Sequence, residues 1–89
     1  MVVRYLVRGV VQGVGFRWFV MREAHRLSMR GWVSNLADGS VEVLADGPPA
    51  FIADFERSLT RGPTAAQVSS VEKADVPHDL VLPNSFEMR

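Results

Sequence analysis

Apolar and polar side chains alternate at the start of the chain with the period of a β-strand. Val3, Tyr5 and Val7 fall on one face, and the positions between them are occupied by Arg4, Leu6 and Arg8. A period of two places successive side chains on opposite faces of a sheet. Residues 2–10 are therefore predicted to form a strand with one well-buried face.

A helical period follows a glycine-rich stretch. The apolar positions of this segment are Phe16, Phe19, Val20, Ala24 and Leu27, while charged side chains lie largely off that stripe. This spacing predicts an amphipathic helix of about three turns that covers the sheet with its apolar stripe. Trp18 and Met21 lie away from the stripe, and the pattern assigns them no role beyond partial packing.

Two β-prone runs at residues 31–36 and 40–45 flank Ala37-Asp38-Gly39, and Asp-Gly is a strong signal for a tight hairpin turn. A second amphipathic helix is predicted after Pro48-Pro49. Its apolar positions are Phe51, Ile52, Phe55 and Leu59, and it ends at Gly62-Pro63.

The remaining residues complete the order of elements. Residues 67–74 are predicted to be a fourth strand, residues 76–85 a loop that contains two prolines, and residues 86–89 a short edge strand. The order β-α-β-β-α-β plus a terminal strand is typical of an α+β, ferredoxin-like sandwich. Its mostly antiparallel sheet would carry both helices on one face.

Length and composition limit the classes of function. The 89 residues are 47% hydrophobic, which suits a single domain spanning 1–89 with one core. The absence of cysteine excludes a disulfide framework and a thiolate metal site, so a cytoplasmic location is expected. A net charge of zero provides no overall field for nucleic acid, and no apolar run approaches the ~20 residues of a membrane span.

The link between the first strand and the first helix is a candidate anion site. Glycines at positions 9, 13 and 15 allow several main-chain N–H groups to face one concavity, and Arg17 follows in the first helical turn. The alternative interpretation is an ordinary tight turn with a solvated arginine. Trp18 stands where a dinucleotide-binding fingerprint needs glycine, and no Gly-Lys-Ser/Thr motif follows.

These residues are part of a longer resemblance to a known protein family. Residues 11–17 (VQGVGFR), 31–35 (GWVSN) and 38–42 (DGSVE) closely resemble the signature of the acylphosphatase family. The likeness continues through Gly62-Pro63 to Phe86-Glu87-Met88 and covers nearly the whole chain in order. The resemblance implies the same sandwich with an added last strand, and an enzyme that hydrolyses acyl phosphates to carboxylate and inorganic phosphate.

The resemblance also implies roles for individual residues. Arg17 would bind the phosphate and Asn35 would position the attacking water; without the resemblance, Asn35 suits a residue that caps the strand-to-turn transition. The phosphate-binding loop would consist of Gln12, Gly13, Val14, Gly15, Phe16 and Arg17. No spacing argument by itself shows that Arg17 and Asn35 meet in space.

Hydrolysis of an acyl phosphate needs few catalytic groups. The carboxylate leaving group has a conjugate acid of pKa about 4, so it requires little protonation at neutral pH. We therefore expect direct attack by water, without a phosphoenzyme, a metal ion or any other cofactor. His25 and His78 have no ligand spacing and are predicted to be surface residues, and Asp38 is expected to serve the turn.

Two departures from the family pattern and two alternative functions remain. Val10 stands where basic residues are common in the family, and this departure affects the expected charge near the substrate channel. Ser28-Met29-Arg30 replaces the usual glycine-bearing exit from the first helix, and this departure affects the expected geometry of the helix end.

One alternative function is a non-catalytic module that binds phosphate or carbamoyl phosphate, as in some hydrogenase-maturation proteins. The other is an RNA-binding sandwich, suggested by aromatic residues beside Arg17. We expect a monomer with a small-molecule substrate and no nucleic-acid or membrane partner.

Overall fold

The elements follow one another in the order β-α-β-β-α-β, with a short fifth strand at the end. The computed structural model describes all 89 residues. The elements are β1 (Val2–Val10), α1 (Phe16–Arg26), β2 (Arg30–Asn35), β3 (Val41–Asp46), α2 (Pro49–Arg61), β4 (Gln67–Ala74) and β5 (Phe86–Met88). Strand bounds lie within one residue of those predicted, and residues 75–85 contain no helix or strand.

The five strands form one sheet in the order β4-β1-β3-β2-β5. All neighbours pair antiparallel except β2 and β5, which run parallel. This confirms the ferredoxin-like sandwich with its added edge strand. Val7 of β1 and Asn35 of β2 both pair with Val41 of β3, so the C-terminal ends of β1 and β2 lie at the same edge of the sheet.

A single cluster of 18 buried residues joins the sheet to both helices. Tyr5, Val7 and Val43 contribute from the strands with no exposed surface, and the predicted apolar positions of α1 are all buried. Phe51 differs from the prediction, because its side chain is 41% exposed. Ile52, Phe55 and Leu59 define the centre of the apolar stripe, and a helical turn of 100° per residue puts Phe51 at its margin.

The end of α1 keeps a regular termination without glycine. Ser28 adopts a left-handed φ of 53°. The N–H of Met29 donates to the carbonyl of Ala24 at 2.9 Å, and the N–H of Ser28 donates to the carbonyl of His25 at 3.1 Å. This pair of bonds is a Schellman motif, so the unusual exit preserves the helix-end geometry while holding serine where glycine is favoured.

Neither helix combines the length and apolarity that a bilayer crossing requires.

Candidate active site

The loop between β1 and α1 presents a row of main-chain donors that have no partner in the protein. Gly13 and Gly15 adopt left-handed φ angles of 74° and 77°. None of the N–H groups from Gly13 to Trp18 donates a hydrogen bond to another protein group. Gly15 is the N-cap of α1 and offers no side-chain cap. Unpaired N–H groups at a helix N-terminus attract anions, since the helix dipole is positive there.

These residues surround a small cavity of about 110 Å³. Its lining consists of Val11, Gly13, Gly15, Phe16, Arg17, Trp18 and Asn35. A water molecule occupies ~30 Å³ of liquid, so the cavity has room for a compact anion such as phosphate. The structure therefore brings together Arg17 and Asn35, which the sequence leaves in separate elements.

Arg17 is held in place from the other end of the chain. Its Nη1 donates to the main-chain oxygen of Arg89 at 2.9 Å. Arg89 is itself attached to β2, since its N–H donates to the carbonyl of Val33 at 2.8 Å and its guanidinium lies 4.1 Å over the Trp32 ring. A guanidinium carries five N–H donors, so one bond orients Arg17 and leaves donors for a ligand. The sequence analysis does not identify Arg89, because no local pattern indicates this long-range contact.

Asn35 lies exposed at the end of β2, and its side chain forms no hydrogen bond within the protein. The alternative reading, in which its side chain caps the strand-to-turn transition, therefore has no hydrogen bond to support it. Asp38 serves the turn instead, accepting bonds from the N–H and Oγ of Ser40 at 2.9 and 2.5 Å. These bonds, with help from Arg8, lower the pKa of Asp38. The carboxamide of Asn35 remains free to bind a ligand or water.

Two members of the predicted phosphate loop have other side-chain surroundings. The Nε2 of Gln12 donates to the carbonyls of Leu36 and Ser40, both at 2.8 Å. Val14 is partly buried against the core. Neither residue lines the cavity, whereas Gly13, Gly15, Phe16 and Arg17 do.

Gly9 does not contribute to the phosphate cradle, which is the row of free main-chain N–H groups from Gly13 to Trp18. The part of the glycine-spacing prediction that includes Gly9 is wrong. Gly9 lies in β1 where the pairing with β4 shifts register. A Cβ at this position would collide with the carbonyl oxygen of Gln67. Gly9 therefore permits a close strand approach, which a pattern of glycines alone does not distinguish from an anion loop.

Two further observations concern metal binding and RNA binding. No group of three or more His, Asp or Glu side chains lies close enough together to hold a metal ion. Phe16 and Phe19, two of the aromatic residues that suggested RNA stacking, are 1% and 8% exposed. Trp18 is 62% exposed and lies at the cavity. A single exposed ring is not the aromatic surface that RNA-binding sandwiches use.

Comparison with known proteins identifies the family of this chain. The sequence model of the acylphosphatase family matches residues 3–88. This chain belongs to the acylphosphatase family. An acylphosphatase from Koribacter versatilis is 56% identical over 72 residues, which cover 81% of this chain and 66% of that protein. The aligned part is thus just under two thirds of the length of that relative.

Solved structures show the same fold in two settings. An acylphosphatase from Coxiella burnetii superposes with a TM-score of 0.87 at 35% identity, covering 99% of this chain and 90% of that one. The HypF protein of T. kodakarensis contains a similar region, with a TM-score of 0.83 at 34% identity over 98% of this chain. That region is only 11% of HypF, so the fold also occurs as part of a much larger chain.

Proposed function

We propose that this protein hydrolyses the carboxyl–phosphate bond of acyl phosphates by direct attack of water on phosphorus. Arg17 and the N–H groups of the loop bind the phosphate, and the carboxamide of Asn35 aligns the water. One observation carries the proposal: a single small cavity is lined by residues with unpaired N–H groups, a guanidinium and an unbonded carboxamide. These are the groups that charge stabilisation and alignment need.

The composition of the lining favours direct hydrolysis over a covalent intermediate. None of the lining residues carries a hydroxyl, thiol, imidazole, carboxylate or amine that could accept a phosphoryl group. Phosphoryl transfer through a loose transition state depends mainly on preorganised donors and on orientation of the nucleophile. A neutral carboxamide can hold water near the phosphate without repelling it, and the carboxylate leaves without a general acid.

A hydrolysis assay with an aryl acyl phosphate tests the proposal. The wild-type protein should release inorganic phosphate, and Arg17→Ala should lose most of this activity together with phosphate affinity. Arg22→Ala is a matched control, because Arg22 is an exposed arginine of the same helix that does not line the cavity. Equal activity in the Arg17 and Arg22 variants would contradict the assignment.

The similarity to a region of HypF favours a second candidate, a module that recognises phosphate or carbamoyl phosphate within a larger assembly. The two candidates share the cradle and differ only in turnover. Binding of inorganic phosphate by a folded protein that releases none from an acyl phosphate would favour the module. We also infer that residues 1–89 act as one domain, since a single buried core joins the sheet to both helices, and we propose that this domain is cytoplasmic and monomeric. Light scattering tests the monomer.

A further inference from the structure

Gln12 forms a bridge between the two segments that carry the site. It precedes Gly13 in the phosphate loop, and its Nε2 donates to the carbonyls of Leu36 and Ser40 at 2.8 Å each. Leu36 follows Asn35 directly in the chain. The bridge thus links the loop of free N–H groups to the two ends of the hairpin turn beside Asn35.

The hairpin turn does not depend on this bridge for its own closure. The carbonyl of Ser40 accepts the N–H of Leu36 at 2.9 Å, and the carbonyl of Leu36 accepts the N–H of Gly39 at 3.2 Å. Each carbonyl therefore keeps a main-chain partner if Gln12 is removed. The bonds from Gln12 instead add a connection between two separate loops, and both lie in a partly buried setting where polar contacts hold their geometry.

We propose that Gln12 is a positioning residue that sets the water-aligning carboxamide of Asn35 relative to the bound phosphate. The inference rests on the proposed function. It differs from the role that the family resemblance implies for Gln12, which is membership of the phosphate-binding loop. The side chain does not touch the substrate, but it holds the loop that binds phosphate against the turn that follows Asn35.

Gln12→Met tests this role, because methionine keeps the length of the side chain and removes the donor. We expect turnover of an aryl acyl phosphate to fall roughly tenfold, since small displacements of an aligned group are costly. The dissociation constant of inorganic phosphate should stay within about twofold, because Arg17 and the loop N–H groups remain. Gln12→Glu should lower turnover further, as its carboxylate would face two carbonyl oxygens.

A double-mutant cycle with Asn35→Ala separates this role from general loosening of the fold. If Gln12 acts through Asn35, adding Gln12→Met to Asn35→Ala should lower turnover little further. Arg8→Met is the matched control: Arg8 also contacts the hairpin, through Asp38 at 3.4 Å, but does not line the cavity. Its turnover should remain near that of the wild type. Circular dichroism and urea unfolding establish that each variant is folded.

The remaining outcomes contradict either the inference about Gln12 or the proposed role of Asn35. Two outcomes would overturn the inference about Gln12 and leave the proposed role of Asn35 intact. One is a full additional loss of turnover when Gln12→Met is added to Asn35→Ala. The other is a loss of phosphate affinity that parallels the loss of turnover in folded Gln12→Met. Unchanged turnover in Gln12→Met and Gln12→Glu would also overturn the inference about Gln12. Unchanged turnover in Asn35→Ala itself would overturn the proposed role of Asn35 and, with it, the role of Gln12. If Gln12→Met does not fold, Gln12→Glu is used in the same cycle.

Discussion

Asn35 ends β2, and its side chain has no hydrogen-bond partner in the protein and lies at the same cavity as Arg17. In Asn35→Ala we expect turnover to fall by roughly 10² to 10³, about 2.7 to 4 kcal/mol, which is typical for loss of one preorganised transition-state group. Inhibition by phosphate should barely change, because the phosphate donors remain. Steady-state kinetics with phosphate as inhibitor measures both. Parallel loss of turnover and phosphate affinity would place Asn35 in the phosphate cradle instead.

Arg17 supplies geometry as well as charge. One of its N–H groups is already committed to the main-chain oxygen of Arg89 at 2.9 Å, which orients the planar guanidinium. Lysine keeps the charge but cannot reproduce two parallel donors while also holding this oxygen. Arg17→Lys should therefore be nearly as inactive as Arg17→Ala, with weakened phosphate binding in both. Near-normal turnover and phosphate affinity in Arg17→Lys would show that only a diffuse charge is needed.

At the level of elements, the exit from α1 stores local strain. Ser28 holds a φ of 53° at the position where Schellman motifs favour glycine. Ser28→Gly should stabilise the protein by roughly 0.5 to 1 kcal/mol, because relief of about 1–2 kcal/mol of left-handed strain is partly offset by the greater unfolded-state entropy of glycine. Urea unfolding measures this difference. Ser28→Ala, which keeps the Cβ, is the control and should give no such gain.

The contact between the two helices predicts a dependence of stability on pH. Glu23 of α1 accepts a hydrogen bond from the buried Ser58 hydroxyl of α2 at 2.6 Å. This bond, opposed by burial and aided by Arg26 and Arg61, lowers the pKa of Glu23 below its ordinary value of 4.5. The unfolded chain therefore binds this proton more readily. The resulting stabilisation is complete above pH 4.5 and is lost as the pH falls through the folded-state pKa.

Unfolding free energies measured across this acid range check the prediction. The difference between wild type and Glu23→Gln should shrink as the pH is lowered, because glutamine cannot titrate. Ser58→Ala removes the main cause of the lowered pKa and should reduce the same dependence. Parallel stability curves for wild type and Glu23→Gln at all pH values would contradict a role for this carboxylate.

For the molecule as a whole, the cavity relies on protein groups for positive charge. Its lining contains an arginine and residues with unpaired N–H groups but no carboxylate, and no cluster of three metal-binding side chains exists. We expect turnover to be unaffected by a chelator and to be inhibited competitively by inorganic phosphate, the product anion. Assays with and without chelator check the first point. Loss of turnover in chelator that Mg²⁺ restores would refute the metal-independent mechanism.

Local sequence patterns determined most of the architecture. The alternation of Val3, Tyr5 and Val7 identified the buried face of β1, and helical spacing identified the buried stripe of α1. Such periodicities are set by backbone geometry, so a single segment suffices to recognise them. The order of these elements indicated the ferredoxin-like fold. The family signature agreed with that fold and supplied the candidate residues Arg17 and Asn35, and the family and the fold are confirmed.

Tertiary structure decided what the site contains. Arg17 and Asn35 meet because β1 and β2 flank β3 and both reach Val41, and strand order is a property of the whole sheet. The bond from Arg17 to Arg89 and the bridge from Gln12 to the hairpin join segments far apart in the chain. No local periodicity encodes such contacts, since they depend on which surfaces pack together once the hydrophobic core has formed.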